Sequence, residues 1–336
     1  MKIRVLAPGL LATVQDLGRP EWRSSGVPLG GAADTWSHRL ANFLVGNDGG
    51  VATLEIAGGG FRATVEKAGK LAVCGTGGQF FVNNTAIGNG RLVLAPKGSE
   101  LEIRANPDGN FTYLATPGGW DVPAVLGSRS TCLSAGFGGL EGRGLRKGDV
   151  LWAADSSDDL KSSDELHGGK VWVSKWFVSS PTFGKFDNVI RTLPGPESHW
   201  WDETQQQQFY NTPFLISKQR DRMGVRLETA SSDSTFRKYP TFGKLHTMLS
   251  TAVCPGTVQV PPDGQPIALL ADAQTTGGYP RIAQVVAVDI PRLAQILSGK
   301  TVRFQQVTLE EAESLFFEQE NLLRKIRLSL CWAAPK

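Results

Sequence analysis

The sequence predicts a mainly β protein of short strands joined by tight connections. Three observations carry this. Gly supplies 39 of 336 residues and Pro 19, against average usage of about 7% and 5%. The apolar runs are short, and glycine separates them. Charged residues make up only 20% of the chain, below the usual quarter. Together these argue against a helical bundle, a coiled coil or a disordered chain. At 336 residues the chain exceeds one ordinary core, so about two domains are expected.

The elements follow in chain order. Residues 1–6 are briefly apolar, but Pro8 and Gly9 break the stretch and argue against a signal peptide. A helix is expected after Asp34 as N-cap, with Trp36, Leu40, Phe43 and Leu44 on one face and Gly46 as its stop. Runs at 70–74, 79–82, 91–94 and 111–115 read as strands of a sandwich or barrel. Residues 155–169 are rich in Ser, Asp and Gly and read as a linker, which divides the chain into 1–170 and 171–336. In the second half, strands are expected at 171–178, 189–193, 257–260, 267–271 and 284–288. A Ser-rich excursion falls at 229–238. A short helix starts at Asp289, with Pro291 in its first turn and Gly299 beyond its end. The last helix opens with Thr308 and Glu311 as a capping box, and Ala312, Leu315, Phe316, Leu323 and Ile326 share a face.

The bulk chemistry excludes several classes. Net charge is +3, from 35 basic and 32 acidic residues without a basic block, so nucleic acid is not an expected partner. No apolar run approaches the 18 or so residues of a membrane span. Cys74, Cys132, Cys254 and Cys331 are far apart, and none has a His at metal-ligand spacing. They are expected to be free buried thiols of a cytoplasmic protein. His38, His167, His199 and His246 form no cluster, and no metal site is expected.

Two motifs tempt. Residues 294–301 fit a relaxed P-loop pattern, but a helix should end at Gly299 and a strand begin at Thr301, the reverse of a phosphate cradle. Residues 136–142 resemble a dinucleotide loop without a surrounding βαβ unit. The loops at 219–224, 256–266 and 270–280 are more informative, because they set polar side chains among glycines that let a ligand approach the backbone. Asp272 is a candidate base. Gln259, Gln265 and Gln274 each donate and accept hydrogen bonds, as recognition of an amide or urea requires. Arg222 could hold a carboxylate or phosphate. Asp272 and Gln274 form the expected polar centre, which Thr275, Thr276 and Tyr279 shape. Taken singly, all of these could instead be turn-fixing polar residues.

Longer stretches resemble the biotin-dependent carboxyltransferase, or allophanate hydrolase subunit 2, family. They are 13–19, Gly30 to Asp34 with 39–42, Leu54 and Glu55, 118–131, 138–143, 193–196, 221–224 and 255–280. The resemblance implies two cyclophilin-like β-barrel domains with a few short helices. It implies one component of an ATP-dependent 5-oxoprolinase complex that converts 5-oxoproline to glutamate. The partners would be a subunit-1 type chain (the B type of such complexes) and an A-type chain, with ATP bound at the level of the complex. One alternative is a component that transfers a carboxyl group from carboxybiotin to urea or a related amide. The chain shows no biotinyl-lysine motif, so another protein would deliver biotin. Another is a non-catalytic regulator that binds a kinase-inhibitor partner. In the first half, Asp34, Arg129 and Arg143 are candidates for an anionic group. Helix capping is the other role open to Asp34, and loop-fixing hydrogen bonds to the two arginines. Family members often carry Met where this chain has Ala33, and Glu where it has Thr251.

Overall fold

The structure, a computed structural model, describes residues 1–154, 169–178, 188–229 and 248–333. The linker expected at 155–169 and the excursion at 229–238 fall almost wholly outside the described residues. The chain forms two compact units. The first is Met1–Arg19, Gly30–Gly184 and Asn321–Lys336, and the second is Pro20–Leu29 and Lys185–Glu320. The units are therefore not the two continuous stretches 1–170 and 171–336.

The first unit contains twelve named strands. They are β1 (Lys2–Pro8), β2 (Leu11–Gln15), β3 (Thr53–Ala57), β4 (Phe61–Lys67), β5 (Gly69–Gly75), β6 (Gly78–Val82), β7 (Thr85–Ala86), β8 (Leu92–Ala95), β9 (Glu100–Ala105), β10 (Phe111–Ala115), β11 (Val150–Trp152) and β12 (Trp172–Val173). They make two six-stranded sheets, ordered β11-β1-β4-β9-β6-β7 and β12-β8-β5-β10-β3-β2. Strand β4 shows the alternation that fixes one face inward: Phe61, Ala63 and Val65 are buried, while Arg62 is exposed. Ile3, Leu54, Leu71, Phe80, Leu101, Ile103 and Trp120 share one core. Each such side chain contributes about 1.5–3 kcal/mol on burial. Strands β3 and β10 are buried at every position. One helix, Thr35–Leu44, packs on β3, β5 and β10. It begins and ends as the sequence predicts, with Asp34 as N-cap and a left-handed Gly46 (φ +88°) after it.

The second unit contains β13 (Val189–Pro194), β14 (Phe214–Arg220), β15 (Gly224–Thr229), β16 (Thr251–Ala252), β17 (Thr257–Gln259), β18 (Ile267–Leu269), β19 (Thr276–Gly277), β20 (Arg281–Val285) and β21 (Thr301–Gln306). A closed barrel runs β13-β20-β17-β18-β15-β14-β21, and β21 returns to β13 in a parallel pair. Phe209 stacks on Phe304 at 4.9 Å, with Phe214 tilted against both. The mainly β expectation holds. The closed barrel lies in the second unit, and the strands of the first form the two sheets.

Several element boundaries differ from expectation. The strand expected at 171–178 is ladder-paired only at Trp172–Val173. Beyond it the pairing is irregular: Ser174 N still donates to Leu92 O and Val178 N to Gly90 O, while Ser174 Oγ donates to Trp176 O and Arg91 to Ser174 O. The strand expected at 267–271 ends at Leu269, where the chain turns. The strand expected at 284–288 runs Arg281–Val285 instead and passes through a 3-10 turn, Ala287–Asp289, into the helix Ile290–Gln295. The P-loop look-alike does run from helix into strand. The sequence reading missed the helix Glu203–Asn211, although Asp202 and Gln205 form a capping box.

The terminal helix spans Leu309–Ala333 and carries the expected Thr308–Glu311 box. Leu323, Ile326 and Leu330 pack with Trp36 and Phe43, and Ala312 and Leu315 with Val286, Val288 and Val307. Phe316 leaves the expected face and is exposed. Among the described residues no helix is long and apolar enough to cross a membrane. All four cysteines are free. Cys74 and Cys132 are buried, but Cys254 is half-buried and Cys331 exposed, so uniform thiol burial does not hold.

Candidate functional site

The polar centre of the second unit is built on the loop after β18. Its anchor is an ion pair. Arg222 Nε donates to Asp272 Oδ2 at 2.8 Å and Arg222 Nη2 to Asp272 Oδ1 at 2.9 Å. Both side chains are buried, and Asp272 N also donates to Arg222 O at 2.9 Å. The bidentate fit corrects two expectations. Asp272 is not a free carboxylate base, because both oxygens face one guanidinium. Arg222 does not offer that edge to a ligand anion, because Asp272 already occupies it.

Beyond this clamp, the loop brings the amides together. Gln259 Nε2 donates to Tyr279 O at 3.1 Å, and Gln274 Nε2 lies 3.5 Å from Gln259 Oε1. A Cβ at Gly277 would lie 2.6 Å from Gln259 Nε2, so a larger residue there would push that amide aside. Thr251 pairs with Gly277 and Ala252 with Thr276 in the short β16–β19 ladder, and Val253 N donates to Thr275 O at 3.0 Å. Tyr279 and Thr276 are exposed, while Gln274 and Thr275 are half-buried. The structure thus brings together Asp272, Gln274, Gln259, Thr275, Thr276, Tyr279 and Arg222 of the predicted set. Gln265 stands apart: its Oε1 accepts from Arg226 Nε at 2.9 Å, and Arg226 also pairs with Asp263.

Two features here escaped the sequence reading. Arg281 forms a double ion pair with Glu197, 2.7 Å from Nε to Oε2 and 2.6 Å from Nη2 to Oε1, and donates to Ala252 O at 2.8 Å. It holds the β16 edge in place. Thr251 Oγ1 is buried and finds no hydrogen-bond partner among the described residues.

The candidates in the first unit have local tasks. Asp34 accepts from Ser37 N at 2.9 Å as a helix cap and is fully buried. Arg129 Nε donates to Val122 O at 3.0 Å. Arg143 pairs with Asp149 at 2.7 Å and with Glu141 at 2.8 Å. The capping and loop-fixing roles account for the contacts of Asp34 and Arg143, whereas Arg129 is exposed and stays a candidate for an anionic group.

A buried polar cluster lies around Asp34 instead. Tyr113 and Glu55 face each other across β10 and β3. Tyr113 OH donates to Glu55 Oε2 at 2.7 Å and accepts from Asp34 N at 2.7 Å, and Ala33 N donates to Glu55 Oε2 at 2.8 Å. Burial, then the charges of Glu55 and Asp34, push the Tyr113 hydroxyl well above its usual range. Burial lowers His38 to about 4, and its Nδ1 lies 2.8 Å from Thr53 Oγ1. Nearby, Asp16 accepts from Ser128 Oγ at 2.6 Å, Ser130 Oγ at 2.5 Å and Arg129 N at 2.6 Å. The signal was an unusual density of polar residues, Thr13, Gln15 and Asp16, in and beside a strand.

Among the described residues no group of three or more His, Cys, Asp or Glu is arranged to hold a metal. The site's chemistry is that of neutral amides beside a closed ion pair, a surface that can both donate to and accept from an amide or lactam.

Comparison with known proteins agrees over nearly the whole chain. Residues 25–306 match the family described as carboxyltransferase domain, subdomain A and B. The chain is 39% identical over 323 residues to the C subunit of the 5-oxoprolinase of Escherichia coli K12, covering 94% of this chain and 97% of that protein. It is 27% identical over 339 residues to the urea amidolyase of Lachancea kluyveri, spanning only 17% of that longer protein. The crystal structure of the K. lactis urea amidolyase superposes with a TM-score of 0.82 at 27% identity, over 97% of this chain and 20% of the other. By the extent of that match and by its mainly β fold, the chain belongs to the carboxyltransferase domain, subdomain A and B, family.

Proposed function

We propose that this chain is the C-type component of an ATP-dependent 5-oxoprolinase, acting in a complex that opens 5-oxoproline to glutamate. One observation carries the choice among family activities. The match to the C subunit of a 5-oxoprolinase runs end to end at 39% identity, whereas the urea amidolyase match is a 17% segment of a much larger protein. The Gln274 and Gln259 amides complement a lactam, whose N–H and C=O need one acceptor and one donor. The Asp272–Arg222 pair frames the loop that carries Gln274. Thr275, Thr276 and Tyr279 line the same loop.

ATP enters at the level of the complex. Residues 294–301 do not fit a phosphate cradle, since the chain there leaves a helix and enters a strand. We assign nucleotide binding to a partner chain of the B or A type and place the complex in the cytoplasm. The fold likeness to urea amidolyase favours a second reading, carboxyl transfer from carboxybiotin to urea or a related amide, with biotin supplied by another protein. The test is reconstitution with the two partner chains and measurement of ADP release. Release that requires both 5-oxoproline and this chain is expected. Turnover with urea and a biotinylated carrier, and none with 5-oxoproline, would overturn the proposal in favour of the second reading.

A further inference from the structure

We propose that the first unit carries a separate ligand site, a pocket for an organic carboxylate with a flat apolar body. The cavity encloses about 580 Å³, inside the range of about 300–1,000 Å³ usual for small-molecule sites. None of its lining residues belongs to the amide loop of the second unit.

The walls are built by contacts that continue past β12 along β8. Trp172 lies opposite Leu94, Ser174 N donates to Leu92 O at 2.9 Å, and Val178 N donates to Gly90 O at 2.9 Å. Arg91 Nη1 holds Ser174 O at 2.7 Å and Lys175 O at 3.1 Å. The segment that presents Trp172 and Trp176 to the cavity is therefore pinned along β8. Leu92 and Leu94 form the adjoining wall, and Phe43 closes the helix side. Preformed indole and aliphatic walls suit a flat apolar body, because ligand stacking then costs little reorganisation.

Charge selects the other end of the ligand. The lining contains Lys70 and Arg327 and no Asp or Glu. Lys70 makes no ion pair among the described residues. Arg327 sits 5.7 Å from the Phe43 ring and, among the described residues, pairs with the highly exposed Asp48. An apolar cavity bordered by two cations favours an anion over a neutral or cationic ligand of the same shape. Cys331, an exposed thiol in the lining, supplies a reporter that no activity assay shares.

The probe is indole-3-acetate, with indole-3-acetamide as its neutral counterpart, titrated calorimetrically into the full-length chain. Saturable binding of the acid is expected. Lys70→Gln should weaken the acid about three- to fivefold and leave the amide within about twofold. Trp172→Ala should weaken both about fivefold. Saturating acid should also slow alkylation of Cys331 by iodoacetamide, followed by peptide mass spectrometry. If Trp172→Ala does not fold, the acid–amide comparison in Lys70→Gln and the Cys331 protection still decide. Absence of saturable binding would overturn the proposal. So would equal weakening of acid and amide by Lys70→Gln, or alkylation of Cys331 at an unchanged rate. None of these outcomes depends on 5-oxoprolinase turnover.

Discussion

Arg222 grips Asp272 through two parallel hydrogen bonds of 2.8 and 2.9 Å, with both side chains buried. A buried pair of this kind stabilises mainly by not being broken, since a single truncation strands the other charge at a cost of about 3–5 kcal/mol. Asp272→Ala should therefore lower the unfolding free energy by about that much in a urea titration. The double variant Arg222→Met with Asp272→Leu should recover most of the loss. A single-variant loss below about 1 kcal/mol would show that the pair does not hold the loop. It follows that loss of turnover in Asp272→Asn does not by itself identify a catalytic base.

This pair also marks what the sequence made legible. The residues were visible as polar groups in Gly-rich loops, and the helix Thr35–Leu44 was legible from Asp34 and Gly46 because capping is local. Their pairing was not legible. Arg222 and Asp272 are brought together by the β15–β18 register, and Glu55 and Tyr113 by the β3–β10 register. Such matches depend on strand partners tens of residues away. The helix Glu203–Asn211 had a readable box at Asp202 and Gln205. Its only buried residue is Phe209, so no periodic apolar stripe announced it.

Gln274 separates recognition from folding. Its side chain is half-buried, and its contact to Gln259 is long at 3.5 Å. Gln274→Ala should cost less than about 1 kcal/mol of stability. In the reconstituted complex, loss of one amide contact to the reacting lactam should lower 5-oxoproline-dependent ADP release by about tenfold or more. Unchanged turnover would remove Gln274 from the substrate site.

Thr251 carries a buried hydroxyl with no partner among the described residues, where β16 meets β19. A buried polar group without a partner costs about 1–3 kcal/mol relative to an apolar group of the same shape. Thr251→Val keeps the β-branched shape and removes that cost, so it should raise the unfolding free energy by about 1 kcal/mol. A measured loss of about 1 kcal/mol or more would mean that the hydroxyl is satisfied in solution.

His38 makes stability depend on pH. Burial lowers its pKa from 6.5 to about 4 in the fold, so it stays neutral there while an unfolded chain takes up the proton. Between these values the unfolded state binds more protons, so stability falls as pH falls. The contribution is complete above about pH 6.5, declines through the interval, and levels off below about pH 4. The full change is about 3 kcal/mol as an order of magnitude. His38→Gln removes the titrating group, and whatever it costs at neutral pH, it should flatten this part of the curve. Urea unfolding of both proteins at half-unit steps from pH 7 to pH 4 measures the two slopes. Parallel slopes would mean that His38 is not held neutral by the fold, whereas a steeper fall in the unsubstituted chain ties the buried imidazole to its acid sensitivity.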